Sequence, residues 1–258
     1  MKYLVFGSHG FIGGRLCREL EEVIEGDRDL VNVDNVDHIV DLASYGNMAW
    51  QTEKDEIYKA NLFRPFQILL NSKGFKSFIL TSTSAIQQEG YNDYILAKGM
   101  MEKAVLFYAS KTGLPITIIR PASVIGVGEQ KEHLIPKLIR SCLYGEEMDF
   151  VEEPTHDYIS VSDVVSAIIH IQENIDKCKG KYFNISSGKG YSNLEIKRMV
   201  EIETGMRANI KINNNFKRPY DGNNWVVNNG ELKRLGWQPK EPIEQTICKM
   251  VYEEKSSK

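Results

Sequence analysis

The stretch MKYLVFGSHGFIGG, Met1 to Gly14, joins an apolar strand to a helix through glycines, and its reading decides the fold. Tyr3, Leu4, Val5 and Phe6 form a short apolar run, and Gly7, Gly10 and Gly13 then recur at every third position. A buried strand that turns into a helix through glycines brings backbone N–H groups and a helix N-terminus to one point, where a phosphate can sit. The glycines have separate uses: a tight turn at Gly7, close approach of a pyrophosphate at Gly10, and close packing of helix on strand at Gly13. The spacing is Gly-x-x-Gly-x-x-Gly rather than Gly-x-Gly-x-x-Gly, so the triplet alone also fits a plain tight turn.

Outward from this stretch, Phe11, Ile12, Leu16 and Leu20 predict a first crossover helix to about Glu22. Val23 to Asp27 reads either as the second strand or as a connection to Leu30-Val31-Asn32-Val33, and His38 to Ala43 is a clearer strand. Too few residues separate these candidates for a helix between each pair, so part of one half of the sheet is trimmed. Ile57, Ala60, Leu62, Phe66 and Leu69 make an apolar stripe on a helix from about Asp55 to Leu70. Ser77 to Thr81 is a strand, Asn92 to Ser110 a helix, and Leu114 to Arg120 a buried parallel strand closed by Pro121. This alternation predicts an α/β fold, a Rossmann-like doubly wound parallel sheet covered on both faces. Past Ser123 the rhythm loosens. Helices are expected at His133 to Tyr144, Ser162 to Ile171 and Ser192 to Glu203, and strands at Tyr158 to Val161 and Lys181 to Ile185. Asn209 to Asn229 is loop-rich, and the closing EEKSSK reads as a frayed tail.

Of 258 residues, 42% are hydrophobic and 26% charged, a balance that fits a globular chain long enough to bury its own core. The formal net charge is −3 and no Lys/Arg block stands out, which speaks against nucleic acid or an anionic membrane surface as partner. Cys17, Cys142, Cys178 and Cys248 are far apart and form no Cys-x-x-Cys pair. That fits a reducing, cytoplasmic setting and argues against zinc. His9, His38, His133, His156 and His170 show no metal-ligand spacing, so no metal is expected. The first residues hold one Lys and a short apolar run, and no segment reaches the length a bilayer requires, so neither a signal peptide nor a membrane span is expected.

Tyr94 and Lys98 lie four residues apart on a predicted helix, neighbours on one face. A tyrosine titrates at about 10, and an ammonium held beside it favours the phenolate, drawing it toward the range of a general acid/base. The lysine keeps donors for a ribose hydroxyl. Thr83, at the carboxyl end of the preceding strand, offers a hydroxyl at the edge where open α/β sheets bind ligands. An isolated Tyr-x-x-x-Lys equally describes a solvated Lys beside a half-buried Tyr; its weight here comes from its company.

That company resembles the extended short-chain dehydrogenases/reductases of the NAD-dependent epimerase/dehydratase group. Gly7-Ser8-His9-Gly10-Phe11-Ile12-Gly13 matches the glycine signature, Val40-Asp41-Leu42-Ala43-Ser44 resembles the strand end bordering the nicotinamide side, and Asn61 sits where the group has an Asn in the next helix. Thr81-Ser82-Thr83-Ser84, Tyr94-Ile95-Leu96-Ala97-Lys98 with Glu102, and Arg120 to Gly126 follow in the family's order. Asp157 to Asp163, Tyr182 to Gly188, and Arg218-Pro219 ahead of Leu235-Gly236-Trp237 resemble its second lobe, so the likeness covers nearly the whole chain.

The resemblance implies a dinucleotide-binding domain over 1–125 and a smaller α/β substrate lobe over 126–258, with some strands and helices returning to the first domain. It implies Tyr94 as proton donor/acceptor, Lys98 on the nicotinamide ribose and tuning Tyr94, and Thr83 as the catalytic Ser/Thr, with Ser84 the alternative on the substrate side. Gly7, His9, Gly10, Phe11, Ile12, Leu42, Ala43, Ser44 and Asn61 would line the cofactor, NAD or NADP, with Pro121 and Val124 near the carboxamide. A nucleotide-sugar substrate and a homodimer formed through the helices holding Asn61 and Tyr94 are implied as well.

The departures from the family matter. Ser84 to Asp93 is shorter than usual, so a substrate-facing loop is missing. His156-Asp157-Tyr158 stands where Arg-Asp-Phe or Arg-Asp-Tyr is common, so one phosphate contact is absent or has become a histidine. Arg218 reads as a diphosphate clamp or as an exposed loop cation. An acid ending the second strand favours a free 2′-hydroxyl and a nearby Arg a 2′-phosphate; Asp27 and Arg28 stand side by side and leave NAD and NADP open. Family dehydratases place Asp-Glu after the catalytic Thr, whereas Ser84-Ala85 stands here and argues against 4,6-dehydration. The expected function is an NAD(P)-dependent nucleotide-sugar 4-ketoreductase with Tyr94 as general acid/base. The alternative is an NAD-dependent nucleotide-sugar epimerase. A third reading is a non-catalytic dinucleotide-sensing protein, against which the retained Thr83, Tyr94 and Lys98 argue.

Overall fold

In the computed structural model, which describes residues 1–26, 35–48, 50–87, 92–213, 215 and 224–257, the opening apolar run is strand β1 (Lys2–Phe6) and the glycine turn leads into helix α1 (Phe11–Glu19). Leu4, Val5 and Phe6 are buried on both faces, as a central parallel strand requires. Strand β2 (Glu22–Gly26) pairs with one side of β1 and strand β3 (His38–Asp41) with the other, both in parallel. Of the two readings of the second strand, the earlier one stands, ending at Gly26. Asp27, Arg28 and Leu30 to Val33 lie outside the described residues.

Strands β4 (Ser77–Thr81), β5 (Ile116–Pro121) and Lys181–Ile185 complete a parallel sheet in the order β2-β1-β3-β4-β5 and then 181–185. Chain order reverses between β1 and β3, and the carboxyl ends of these two strands therefore flank the crevice in which such sheets take ligands.

The helix expected over Asp55 to Leu70 is interrupted. It consists of α2 (Lys54–Tyr58), a π-helical turn (Lys59–Phe63) and α3 (Arg64–Asn71). Pro65 explains the widening. It has no N–H for the carbonyl of Asn61, four residues back, and its ring would clash there in an α-helix. The Arg64 N–H instead reaches the Lys59 carbonyl, five residues back. The buried positions are Ile57, Asn61, Arg64, Pro65, Ile68 and Leu69, so the face pointing inward includes two polar side chains, Asn61 and Arg64, that the predicted apolar stripe omitted.

Helix α4 (Asp93–Thr112) follows β4. The Asn92 side chain caps it by accepting from the Ile95 N–H at 2.9 Å, and Gly113, with φ +69°, ends it. Its buried face, Met101, Val105 and Ala109, packs with Ile68 and Leu69 onto Phe6, Ile39, Phe78, Leu80 and Ile118 of the strands.

The chain forms two compact units, one comprising Met1–Pro121, Val165–Ile185 and Gly230–Trp237, the other Ala122–Val164, Ser186–Asn229 and Gln238–Lys258. In the second, strand Thr155–Ser160 pairs with Gly190–Ser192 in antiparallel and with Ser123–Ile125 and Asn224–Trp225 in parallel. Its core joins Ile135, Leu138 and Ile139 of helix Leu134–Tyr144 to Ile196 and Val200 of helix Asn193–Thr204 and to Ile247 and Val251. The last two belong to helix Ile243–Ser256, which sequence periodicity did not disclose. The frayed tail expected from EEKSSK is corrected accordingly: the helix continues through Ser256, whose hydroxyl donates to the Tyr252 carbonyl at 2.9 Å.

Candidate active site

The glycine turn makes a cradle at the end of β1. Gly7 has φ +77°, and a Cβ there would stand 2.9 Å from the Ala43 nitrogen, so the turn lies directly against the chain leaving β3. Gly10 is the N-cap of α1 and offers no side-chain cap, which leaves the first-turn amides, including those of Phe11 and Ile12, facing outward without a side-chain acceptor. Bare amides over a glycine at a helix N-terminus fit the diphosphate of a dinucleotide. His9 is exposed at the tip of the turn, with Nε2 3.1 Å from a Glu25 carboxylate oxygen on β2.

Asn61 is fully buried in the π-helical turn, and its amide donates to the carbonyls of Tyr45 at 2.6 Å and Ile57 at 2.8 Å. It therefore holds the segment after β3, where Leu42, Ala43 and Ser44 lie. Ser44 hydrogen-bonds the Tyr94 phenol.

Lys98 is buried, donates from Nζ to the Thr81 carbonyl at 2.7 Å, and lies 6.0 Å from the centre of the Tyr94 ring. Burial lowers its ammonium to about 8, with Asp41 and Glu102 pulling upward and Arg64 downward. Burial raises the Tyr94 phenol, and the Ser44 bond opposes that only in part. The expected lowering of the phenol by Lys98 is thus corrected: the ammonium is turned to the Thr81 carbonyl and desolvation wins.

Thr83 is half-buried just past β4, its hydroxyl accepting from the Ala85 N–H at 3.2 Å and free to donate its own proton. Ser84, by contrast, is buried with its hydroxyl turned away from solvent. Thr83 is the more accessible of the two hydroxyls.

Two residues that sequence reasoning left without a role belong to this cluster. Arg64 Nη2 donates to Asp41 Oδ1 at 2.9 Å, with side chains only 8% and 2% exposed, and the guanidinium carbon lies 5.2 Å from the centre of the Phe6 ring. The sequence signal was the 57, 61, 64, 68 spacing, which carries Arg64 to the buried face. Glu102, one turn beyond Lys98, grips Arg120 through both oxygens, and Arg120 stacks 3.6 Å from the centre of the Tyr182 ring. This fixes α4 against β5 and its neighbour strand. Pro121 ends β5 and is buried.

Val124 lies in strand Ser123–Ile125 of the second unit, and Arg218 lies outside the described residues. In that unit His156 is buried against Trp225, ring centres 5.3 Å apart, and Asp157 is a staple. The Asp157 carboxylate accepts from the Ser187 N–H and hydroxyl, the Gly188 N–H and the Val227 N–H at 2.8–3.2 Å. Among the described residues no cluster of His, Cys, Asp or Glu could hold a metal, and no helix is long and apolar enough to cross a membrane.

Comparison with known proteins agrees with this geometry. Residues 26–186 match the NAD dependent epimerase/dehydratase family, and the chain belongs to that family of enzymes, whose cofactor is NAD or NADP. A UDP-glucose 4-epimerase from Lactobacillus helveticus is 24% identical over 316 aligned positions, covering 96% of this chain and 95% of the relative. A GDP-6-deoxy-D-talose 4-dehydrogenase from Aggregatibacter actinomycetemcomitans is 27% identical over 257 positions, 86% of each. Among solved structures, MoeE5 in complex with UDP-glucuronic acid and NAD has the same fold, with a TM-score of 0.86 at 20% identity over 100% of both chains.

Proposed function

We propose that this chain is a nucleotide-sugar 4-ketoreductase, in which the first unit binds NAD(P)H and the second recognises the sugar nucleotide. The observation that carries the reading is the turn after Thr83. It holds Ser84 and Ala85, both buried, and offers no carboxylate for dehydration. Loop trimming supports exchange of a soluble dinucleotide rather than its retention. The alignment to the 4-epimerase needs 316 positions against 258 residues here, so the relative carries insertions this chain lacks. The 4-dehydrogenase relative, whose name describes redox chemistry at a sugar C4, supports the same class.

Gly7, His9, Gly10, Phe11 and Ile12 cradle the diphosphate, Leu42, Ala43 and Ser44 line the crevice while buried Asn61 holds that segment from behind, the family resemblance assigns Pro121 and Val124 to the carboxamide, and Lys98 binds the ribose. A bound nicotinamide supplies the hydride. Thr83 orients the sugar carbonyl oxygen, and Tyr94 delivers its phenolic proton to that oxygen as negative charge develops. A phenol kept protonated by burial is suited to giving a proton. Asp27 or Arg28 selects the cofactor and Arg218 clamps the diphosphate of the substrate. The cysteines stand free, consistent with a cytoplasmic enzyme. Leu96, Met100 and Phe107, exposed on α4, and Phe63 and Leu70, exposed beside it in sequence order on the preceding helix, support a homodimer.

A second reading, a nucleotide-sugar 4-epimerase with resident NAD, is favoured by the near full-length likeness to the Lactobacillus helveticus enzyme. The test is to denature the purified protein, identify any released dinucleotide by mass spectrometry, and follow NAD(P)H consumption with a panel of keto-sugar nucleotides. Empty protein that consumes NAD(P)H supports the reductase. Stoichiometric released NAD with no net consumption overturns it in favour of the epimerase.

A further inference from the structure

We propose that the buried Asp41–Arg64 ion pair sets the protonation of Lys98, and with it the upper pH limit of dinucleotide binding. Asp41 and Arg64 are then positioning residues that act through Lys98. The inference rests on the reading above that Lys98 binds the cofactor ribose.

Three elements bring charge to one place: Asp41, the last residue of β3, pairs across the sheet with Leu80 of β4, the next residue, Thr81, takes Lys98 Nζ of α4 on its carbonyl at 2.7 Å, and Arg64 at the start of α3 bonds Asp41. All three side chains are buried, in a parallel-sheet core where such groups are rarely found. The pair is not closed on itself. Arg64 bonds Asp41 through Nη2, while its Nη1 is buried without a partner among the described residues, and Asp41 Oδ1 is shared with the Ala43 N–H at 3.1 Å. Neither charge is fully spent on the other, so both are felt nearby.

The charged and titratable groups facing Lys98 are Asp41 from β3, Arg64 from α3, and Tyr94 and Glu102 from its own helix. Glu102 is engaged by Arg120. That leaves Asp41 and Arg64 as the opposed pair, the anion favouring the ammonium and the cation disfavouring it. Burial has already brought Lys98 down to about 8, where a modest change in either partner decides its charge near neutrality. A pair serving only to hold α3 against β3 would change stability and leave this titration where it is.

The experiment is a fluorescence titration of NADH and NADPH binding from acid to alkaline pH on the full chain and the variants D41N, R64Q, R64K and K98M. In the unaltered protein affinity is expected to fall as pH rises through about 8. D41N should move that midpoint down, and R64Q should move it up, each by about one pH unit. R64K, which keeps the charge, should leave it in place. A midpoint unmoved in both neutral variants overturns the inference. K98M separates it from the reading beneath it. If K98M binds dinucleotide like the unaltered protein at every pH, the role of Lys98 itself fails. If K98M loses binding but D41N and R64Q share the original midpoint, only the role of the pair fails. A lone buried charge can prevent folding. Should one neutral variant not fold, the other still has its own required direction, and the D41N/R64Q double variant must fall between the two expected positions. A double variant displaced as far as a single one overturns the proposal.

Discussion

Gly13 approaches Gly7 so closely that a Cβ at position 13 would stand 2.0 Å from the Gly7 carbonyl oxygen. The atom in the way is backbone, so nothing flexible can yield, and α1 must tilt off the end of β1. Gly13→Ala should cost about 1–3 kcal/mol, lower Tm, and weaken dinucleotide binding by disturbing the first-turn amides. Gly10→Ala meets the same oxygen only at 3.1 Å and should be milder in stability. Thermal unfolding and cofactor titration compare the two. An unchanged Tm in Gly13→Ala would contradict the packing role.

Tyr94→Phe removes the proton and keeps the ring. Turnover should fall by about 10²–10⁴ while NAD(P)H affinity is retained, because Lys98 keeps its bond to Thr81. Ser44→Ala should leave the phenol higher still, since it deletes the bond that opposes burial. Unchanged turnover in Tyr94→Phe would overturn its role as proton donor, and dinucleotide binding without turnover in the unaltered protein would point to a sensor.

How far the sequence disclosed this site follows from what each signal depends on. The glycine turn, Thr83 and the Tyr94-Lys98 pair are local, with spacing that survives any packing. Strands Ser77–Thr81 and Lys181–Ile185 were legible to the residue, the first as an apolar run between polar ends and the second from its aromatic and β-branched residues. The Asp41–Arg64 pair joins residues 23 apart in sequence, and a charged residue in a helix ordinarily reads as solvated. Pro65 announced the π-helical turn, but an apolar stripe counted at ideal helical spacing passes over it. The direction of the Tyr94 shift could not be read either, since it depends on desolvation against a bond from Ser44, on a different segment.

His38 sits at the opposite end of β3, Nδ1 2.8 Å from the Ser77 hydroxyl and stacked on Tyr3. Its Nε2 is buried with no partner among the described residues. Charging the ring would bury an N–H with no acceptor, and burial accordingly lowers its pKa, outweighing the pull of Asp37. A histidine lowered on folding contributes stability above its unfolded value of about 6.5 and loses it as pH falls toward the folded value. Tm should therefore decline on acidification below that point. In His38→Asn, which does not titrate, the decline should be shallower. Equal slopes in thermal melts across pH would rule out this histidine as a source.

Asp157 accepts four hydrogen bonds from Ser187, Gly188 and Val227, tying three segments of the second unit together. Asparagine has one acceptor oxygen, and its NH₂ would face backbone donors. Asp157→Asn should destabilise by about 3–5 kcal/mol, the cost of breaking a buried charged network. The loss should appear as increased hydrogen exchange at Gly188 and Val227, with the α4 amides of the first unit still protected. Uniform loosening of both units would mean the carboxylate is not a local staple.

Leu96, Met100 and Phe107 recur at helical spacing on α4 and are 42%, 44% and 66% exposed. Lys103 lies between Met100 and Phe107 on this face, and exposed apolar surface of this kind marks a place that another surface covers. The proposed partner is the same stripe of a second copy, since a two-fold axis lets one helix face meet itself. Met100→Glu places two carboxylates at the centre of such an interface and should convert a dimer into a monomer in sedimentation velocity, with Tm lowered at low protein concentration only in the unaltered chain. Lys255→Glu, exposed on helix Ile243–Ser256 rather than on α4, should not change the sedimentation. An unaltered protein that sediments as a monomer at all concentrations would rule out the self-pairing and leave the stripe needing a different cover.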